Sequence, residues 1–108
     1  MALSKDEVIK IANPLMESLR RRHDIRAAYI FGSFAKGMAK EYSDIDLAVV
    51  VKSLKKSEDS PYDEAFQIFH EAQEYNSLIE VICFEQDEFD RDGGTLVKKI
   101  KKEGIKLI

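Results

Sequence analysis

Residues 32–51 read Gly32-Ser33-Phe34-Ala35-Lys36-Gly37-Met38-Ala39-Lys40-Glu41-Tyr42-Ser43-Asp44-Ile45-Asp46-Leu47-Ala48-Val49-Val50-Val51. A Gly-Ser pair, ten intervening residues and two aspartates lead into an apolar run. The run is nearly continuous in β-branched and aliphatic residues, so Asp44–Val51 reads as a strand. Just upstream, Arg26–Phe31 reads as a short buried strand that ends at Gly32. Ser33–Ala39 between them reads as a short helix, with Gly37 near its end. Strand, glycine turn, helix and strand in that order place a phosphate-sized loop beside two carboxylates.

The flanking sequence extends this pattern in both directions. Ser4-Lys5-Asp6-Glu7 has the form of a capping box ahead of Val8, Ile11, Leu15 and Leu19, an apolar helical stripe. Pro14 interrupts that stripe, so either the helix kinks there or Asn13 caps a second segment. Arg20-Arg21-Arg22 suits a solvated helix C-terminus. Lys52–Ser60 is polar and reads as a surface loop. Ser60-Pro61-Tyr62-Asp63 starts another helix, whose Ala65, Phe66, Ile68, Phe69 and Ala72 should pack on the sheet. Leu78–Phe84 is a third strand, and Gln86–Gly94 a turn or short helix with a loop. Thr95 caps a last helix (Leu96, Val97, Ile100) that stops at Gly104 as a left-handed cap, before a short strand in Ile105–Ile108. The fold class is α/β (α+β): a small mixed sheet with flanking helices, in one domain over residues 1–108.

Composition narrows the function. A formal charge of −3 and a pI near 5.4 argue against broad nucleic-acid binding, which normally shows a basic excess. The single cysteine, Cys83, excludes an internal disulfide and any multi-cysteine metal site, and its apolar surroundings suit a buried structural thiol. No apolar segment approaches a membrane span and no signal-peptide core is visible, so the expectation is a reduced, soluble, cytoplasmic domain. His23 and His70 lie far apart without metal-ligand spacing and read as structural or surface residues. The acids outside the central motif, Glu64 and Glu71 among them, fall in loops, caps and helix faces where solvation accounts for them.

The chemistry sits at the opening stretch. Strand side chains alternate, so Asp44 and Asp46 share a face about 7 Å apart, while Ile45, Leu47 and Val49 point to the core. Two bare carboxylates at that distance repel by roughly 2 kcal/mol at an effective dielectric of about 20. A divalent cation reverses the sign, and Mg²⁺ accepts a few carboxylates together with phosphate oxygens and water. Gly32 lets the backbone approach an anion closely. Ser33 offers a hydroxyl and backbone N–H groups at the positive end of a helix dipole. Lys36, one turn on, either reaches the same phosphates or is a plain surface lysine. Glu80, inside the third strand, is a candidate third carboxylate, binding a second ion or acting as a base. Its alternative is a sheet-edge position facing water.

The Gly32-Ser33 and Asp44-Ile45-Asp46 spacing resembles the motif of the DNA polymerase β–like nucleotidyltransferase superfamily. Phe31 through Lys36-Gly37, Ser43 through Leu47, and the closing Val97–Ile108 look most like the minimal nucleotidyltransferases (MNT) of bacteria and archaea. The resemblance implies that Asp44 and Asp46 ligate Mg²⁺ (two ions in all), that Gly32 and Ser33 hold the triphosphate of ATP, and that Glu80 is the third carboxylate. Relatives more often carry Asp at that last position, and Arg where Lys36 stands. Proteins of this kind lack a second, acceptor-binding domain, which implies an acceptor on another protein. The usual partner is a helical HEPN-domain toxin to which the antitoxin transfers AMP. The competing reading is an MNT-fold binding module, weak or inactive in catalysis, that neutralises a helical partner by contact. A third is transfer to a small molecule or nucleic acid bound at a dimer interface of a homo-oligomer.

Overall fold

The computed structural model describes residues 4–32, 44–52, 64–91 and 94–108. Its elements run α1 (Lys5–Arg22), β1 (Ile25–Phe31), β2 (Ile45–Val51), α2 (Glu64–Tyr75), β3 (Ile79–Glu85), α3 (Gln86–Asp90), α4 (Thr95–Glu103) and β4 (Ile105–Lys106). The short helix expected at Ser33–Ala39, the loop after Lys52 and the helix start at Ser60–Asp63 lie outside the described residues.

The sheet order is β3-β2-β1-β4. β1 pairs antiparallel with both β2 and β4, whereas β2 and β3 are parallel, so the sheet is mixed as expected. Helices cover both faces. On one, Ile45, Leu47, Val49 and Val51 join Ala28 and Ile30 against Val8, Leu15, Met16 and Leu19 of α1 and Ile68 and Ala72 of α2. On the other, Ala48 and Val50 meet Phe84, Phe89 of α3, and Val97 and Ile100 of α4. This two-sided burial explains why β2 is a continuous apolar run rather than an alternating one.

The expected capping box forms: the Ser4 hydroxyl accepts from the Glu7 N–H at 3.2 Å, and the Glu7 carboxylate accepts from the Ser4 N–H at 3.2 Å. α1 then passes through Pro14 as one helix, so Asn13 caps no second segment. Pro14 costs the helix one backbone bond to Lys10, but it lies on the solvent face while the buried stripe continues on both sides of it.

Three local expectations are corrected. α2 packs through Ile68 and Ala72, whereas Phe66 and Phe69 are 45% and 40% exposed. The buried positions recur every four residues from Glu64, and both phenylalanines fall off that stripe. The cap of α4 is Gly94 at φ 101°, not Thr95, and no described side chain caps the helix start. Gly104 ends α4 in an extended conformation rather than a left-handed one. Its lack of a Cβ serves space, since a Cβ would run into the Ile100 carbonyl oxygen as the chain turns into β4.

Glu64 is also not a solvated acid. It is buried, and its carboxylate lies 2.7 Å from Nδ1 of His23, which closes the end of α1. The other ring nitrogen of His23 is buried, has no hydrogen bond among the described residues, and faces the Glu71 carboxylate at 3.9 Å. Glu71 in turn accepts from Arg22 at 2.9 Å. This cluster ties α1 to α2 at the end of the sheet where Ile25 pairs with Val51. His23→Ala removes a buried hydrogen bond from Glu64 and should destabilise the fold by about 1–3 kcal/mol in urea denaturation. An unchanged midpoint would reject the structural role.

Candidate functional site

The opposite end of the sheet carries the carboxylates. Asp46 is the second residue of β2, and its register partners are Phe31 on β1 and Glu80 on β3. Phe31, Asp46 and Glu80 therefore form one row across three strands. Asp44 immediately precedes β2 and is exposed, Asp46 is half-buried, and Glu80 is exposed. Glu80 lies on β3, an outer strand of the described sheet, and is exposed, so its charge meets solvent without a burial penalty. The edge position and a place beside Asp46 thus occur together.

Gly32 follows Phe31 at φ 75°, a left-handed conformation that side chains rarely adopt. A Cβ there would collide with Oδ2 of Asp46 and lie 3.2 Å from its Cγ. The turn out of β1 is consequently pressed against the Asp46 carboxylate, and glycine is required for both conformation and space. Ser33 and Lys36 lie outside the described residues.

Burial, then the negative charges of Glu80 and Asp44, push the Asp46 carboxyl above the usual aspartate range. An acid raised in this way lowers folded stability as pH rises through its folded-state value, because ionisation is easier in the unfolded chain. The donor set is made only of hard carboxylate oxygens, the type that suits Mg²⁺. Among the described residues no three His, Cys, Asp or Glu side chains gather into a metal-enclosing cluster. An ion here would need further oxygen ligands, such as phosphates and water, as Mg²⁺ commonly does. A groove of about 400 Å³ between α1 and α2, lined by Pro14, Leu15, Arg22, Glu71 and Tyr75, contains none of these carboxylates.

The sequence reading did not single out Phe31 or Ile82. Phe31 forms the third member of the carboxylate row. Ile82 shares the Glu80 face of β3 yet is 40% exposed. The two-residue interval between Glu80 and Ile82 was the available signal, since it puts both on one side of an edge strand.

The chain as a whole and its mixed sheet resemble known proteins. The family model described as polymerase β, nucleotidyltransferase, aligns with residues 13–108. The chain belongs to that nucleotidyltransferase family. A candidate protein adenylyltransferase of Methanocaldococcus jannaschii is 52% identical over 33 residues, 31% of this chain and 22% of that protein's length. A crystal structure of a candidate nucleotidyltransferase from Sulfolobus solfataricus superposes with a TM-score of 0.60 at 21% identity, covering 94% of this chain and 80% of that one. A toxin–antitoxin structure containing AMP-PNP gives a TM-score of 0.60 at 18% identity, over 89% of this chain and 72% of that one. A variant of the toxin–antitoxin MntA-HpeT, with two aspartates replaced by glutamate, gives 0.57 at 18% identity over 98% and 73% of the two chains. No described helix is long and apolar enough to cross a membrane.

Proposed function

We propose that the chain transfers AMP from ATP to a hydroxyl of a partner protein, as the Mg²⁺-dependent antitoxin of a toxin–antitoxin pair. The row Phe31–Asp46–Glu80, with Gly32 packed on Asp46, carries this reading. Gly32 and Ser33 hold the triphosphate, with Lys36 as an added positive charge, and Asp44 and Asp46 hold the metal. Mg²⁺, when bound, neutralises the phosphate charge and lowers the pKa of the attacking hydroxyl. The acceptor oxygen attacks the α-phosphorus, the bond to the bridging oxygen breaks, and pyrophosphate leaves. Glu80, exposed at the sheet edge, either joins the metal ligands or takes the acceptor's proton as the base. Family membership, the adenylyltransferase name of the M. jannaschii relative and the AMP-PNP in a toxin–antitoxin of the same fold all support this reading. The partner it implies is a small helical HEPN-domain toxin.

Co-expression with the neighbouring gene's product, followed by intact-mass spectrometry, is expected to find that product heavier by one or more AMP units. An unmodified product whose toxicity is still suppressed would favour the alternative, a binding module that acts by contact.

A further inference from the structure

We propose that Ile82 forms part of the acceptor subsite, seating the apolar body of the partner side chain whose hydroxyl receives the nucleotide. This rests on the transfer reading above and deepens it. The two flanks of Asp46 differ. Gly32 approaches Asp46 from the β1 side, so the phosphate-bearing turn enters there. Glu80 flanks Asp46 from the β3 side, and in the described sheet β3 is an outer strand. The donor therefore comes over β1 and the acceptor over the β3 edge.

The next row on the same face is Tyr29–Ala48–Ile82. Phe89 of α3 stacks on Tyr29 with ring centroids 5.5 Å apart, and Ala48 is fully buried. The helical cover thus reaches β1 and β2 in this row and stops short of β3. One row further, Phe84 is only 7% exposed, with Phe89 at 5.6 Å between centroids. Ile82 is left as an exposed apolar step between the buried Phe84 and the Glu80 carboxylate. A lone exposed isoleucine is unremarkable on a protein surface. This one continues directly from the carboxylate row, two residues along the same strand face. A hydroxyl presented to Glu80 by a side chain reaching over the edge sets its apolar body on Ile82.

The test compares Ile82→Asp, Ile82→Thr and Ile82→Val in AMP transfer to the neighbouring gene's product, with Mg²⁺–AMP-PNP affinity as the donor-side readout. Ile82→Asp and Ile82→Thr should raise the KM for the acceptor about tenfold while AMP-PNP affinity stays within twofold, and Ile82→Val should behave as the unsubstituted chain. Thr keeps the β-branched shape, so its result stands if the Asp variant fails to fold. An acceptor KM unchanged in Ile82→Thr would overturn the proposal. So would a KM that is unchanged while gel filtration shows Ile82→Asp splitting a dimer, which would assign this face to a second copy. Loss of AMP-PNP affinity would overturn it as well, placing Ile82 on the donor side. Absence of transfer by the unsubstituted chain would sink the functional reading itself, a result distinct from all of these.

Discussion

The double substitution Asp44→Asn with Asp46→Asn is expected to lower AMP transfer by about a thousandfold or more while the apo protein melts at a higher temperature than the unsubstituted chain. Both effects come from one arrangement. Asp46 is half-buried between Asp44 and Glu80, and burial together with those two charges raises its carboxyl above the usual range. The stability contribution is complete below the ordinary aspartate value and is lost as pH rises through the raised one. Asparagine cannot ionise and escapes that loss, so the difference in melting temperature should grow from acidic to neutral pH. Such a trade of stability for function is common at acidic sites. Transfer rates and melting curves across that pH range check both halves. Transfer within tenfold of the unsubstituted chain would reject Asp44 and Asp46 as functional carboxylates, whatever the melting curves show.

Gly32→Ala carries the second large effect. The φ of 75° at Gly32 costs an alanine about 1–2 kcal/mol. The new Cβ must also displace Oδ2 of Asp46. The fold can absorb the first cost, but the second lands on the group proposed to hold the metal. Nucleotide affinity and transfer should each fall about a hundredfold, with a cooperative melting transition retained. Isothermal titration with AMP-PNP and Mg²⁺ separates this outcome from simple unfolding. Affinity within twofold of the unsubstituted chain would mean that the turn and the carboxylate do not act together.

What the sequence made legible was local. Ile45, Leu47 and Val49 could be assigned to a core face because strand alternation needs only neighbouring residues, and the sheet bore that out. The capping box at Ser4 and Glu7 needed a span of four residues. The candidate carboxylates were legible for the same reason, as a short spacing in one stretch plus a charge in an apolar strand. What could not be read depended on distant partners. Glu64 looked like any helix-start acid until His23, 41 positions away, closed on it. Phe66 and Phe69 looked like core because helical spacing fixes which residues share a face but not which face meets the sheet. Whether Glu80 stood at an edge, and which residue lay beside it, depended on the strand order, which no local spacing fixes.

β2 is hydrogen-bonded along both edges and covered on both faces, so it has no route to separate from the domain by itself. Partial openings, which begin where contacts are few, would start at chain ends and at the outer strands before they reach it. Asp46 is therefore anchored to the part of the molecule that yields last. Glu80 and Ile82 stand on the outer strand beside that stationary carboxylate. In the proposed transfer, donor and acceptor would thus be aligned on the element of the described sheet that gives way last.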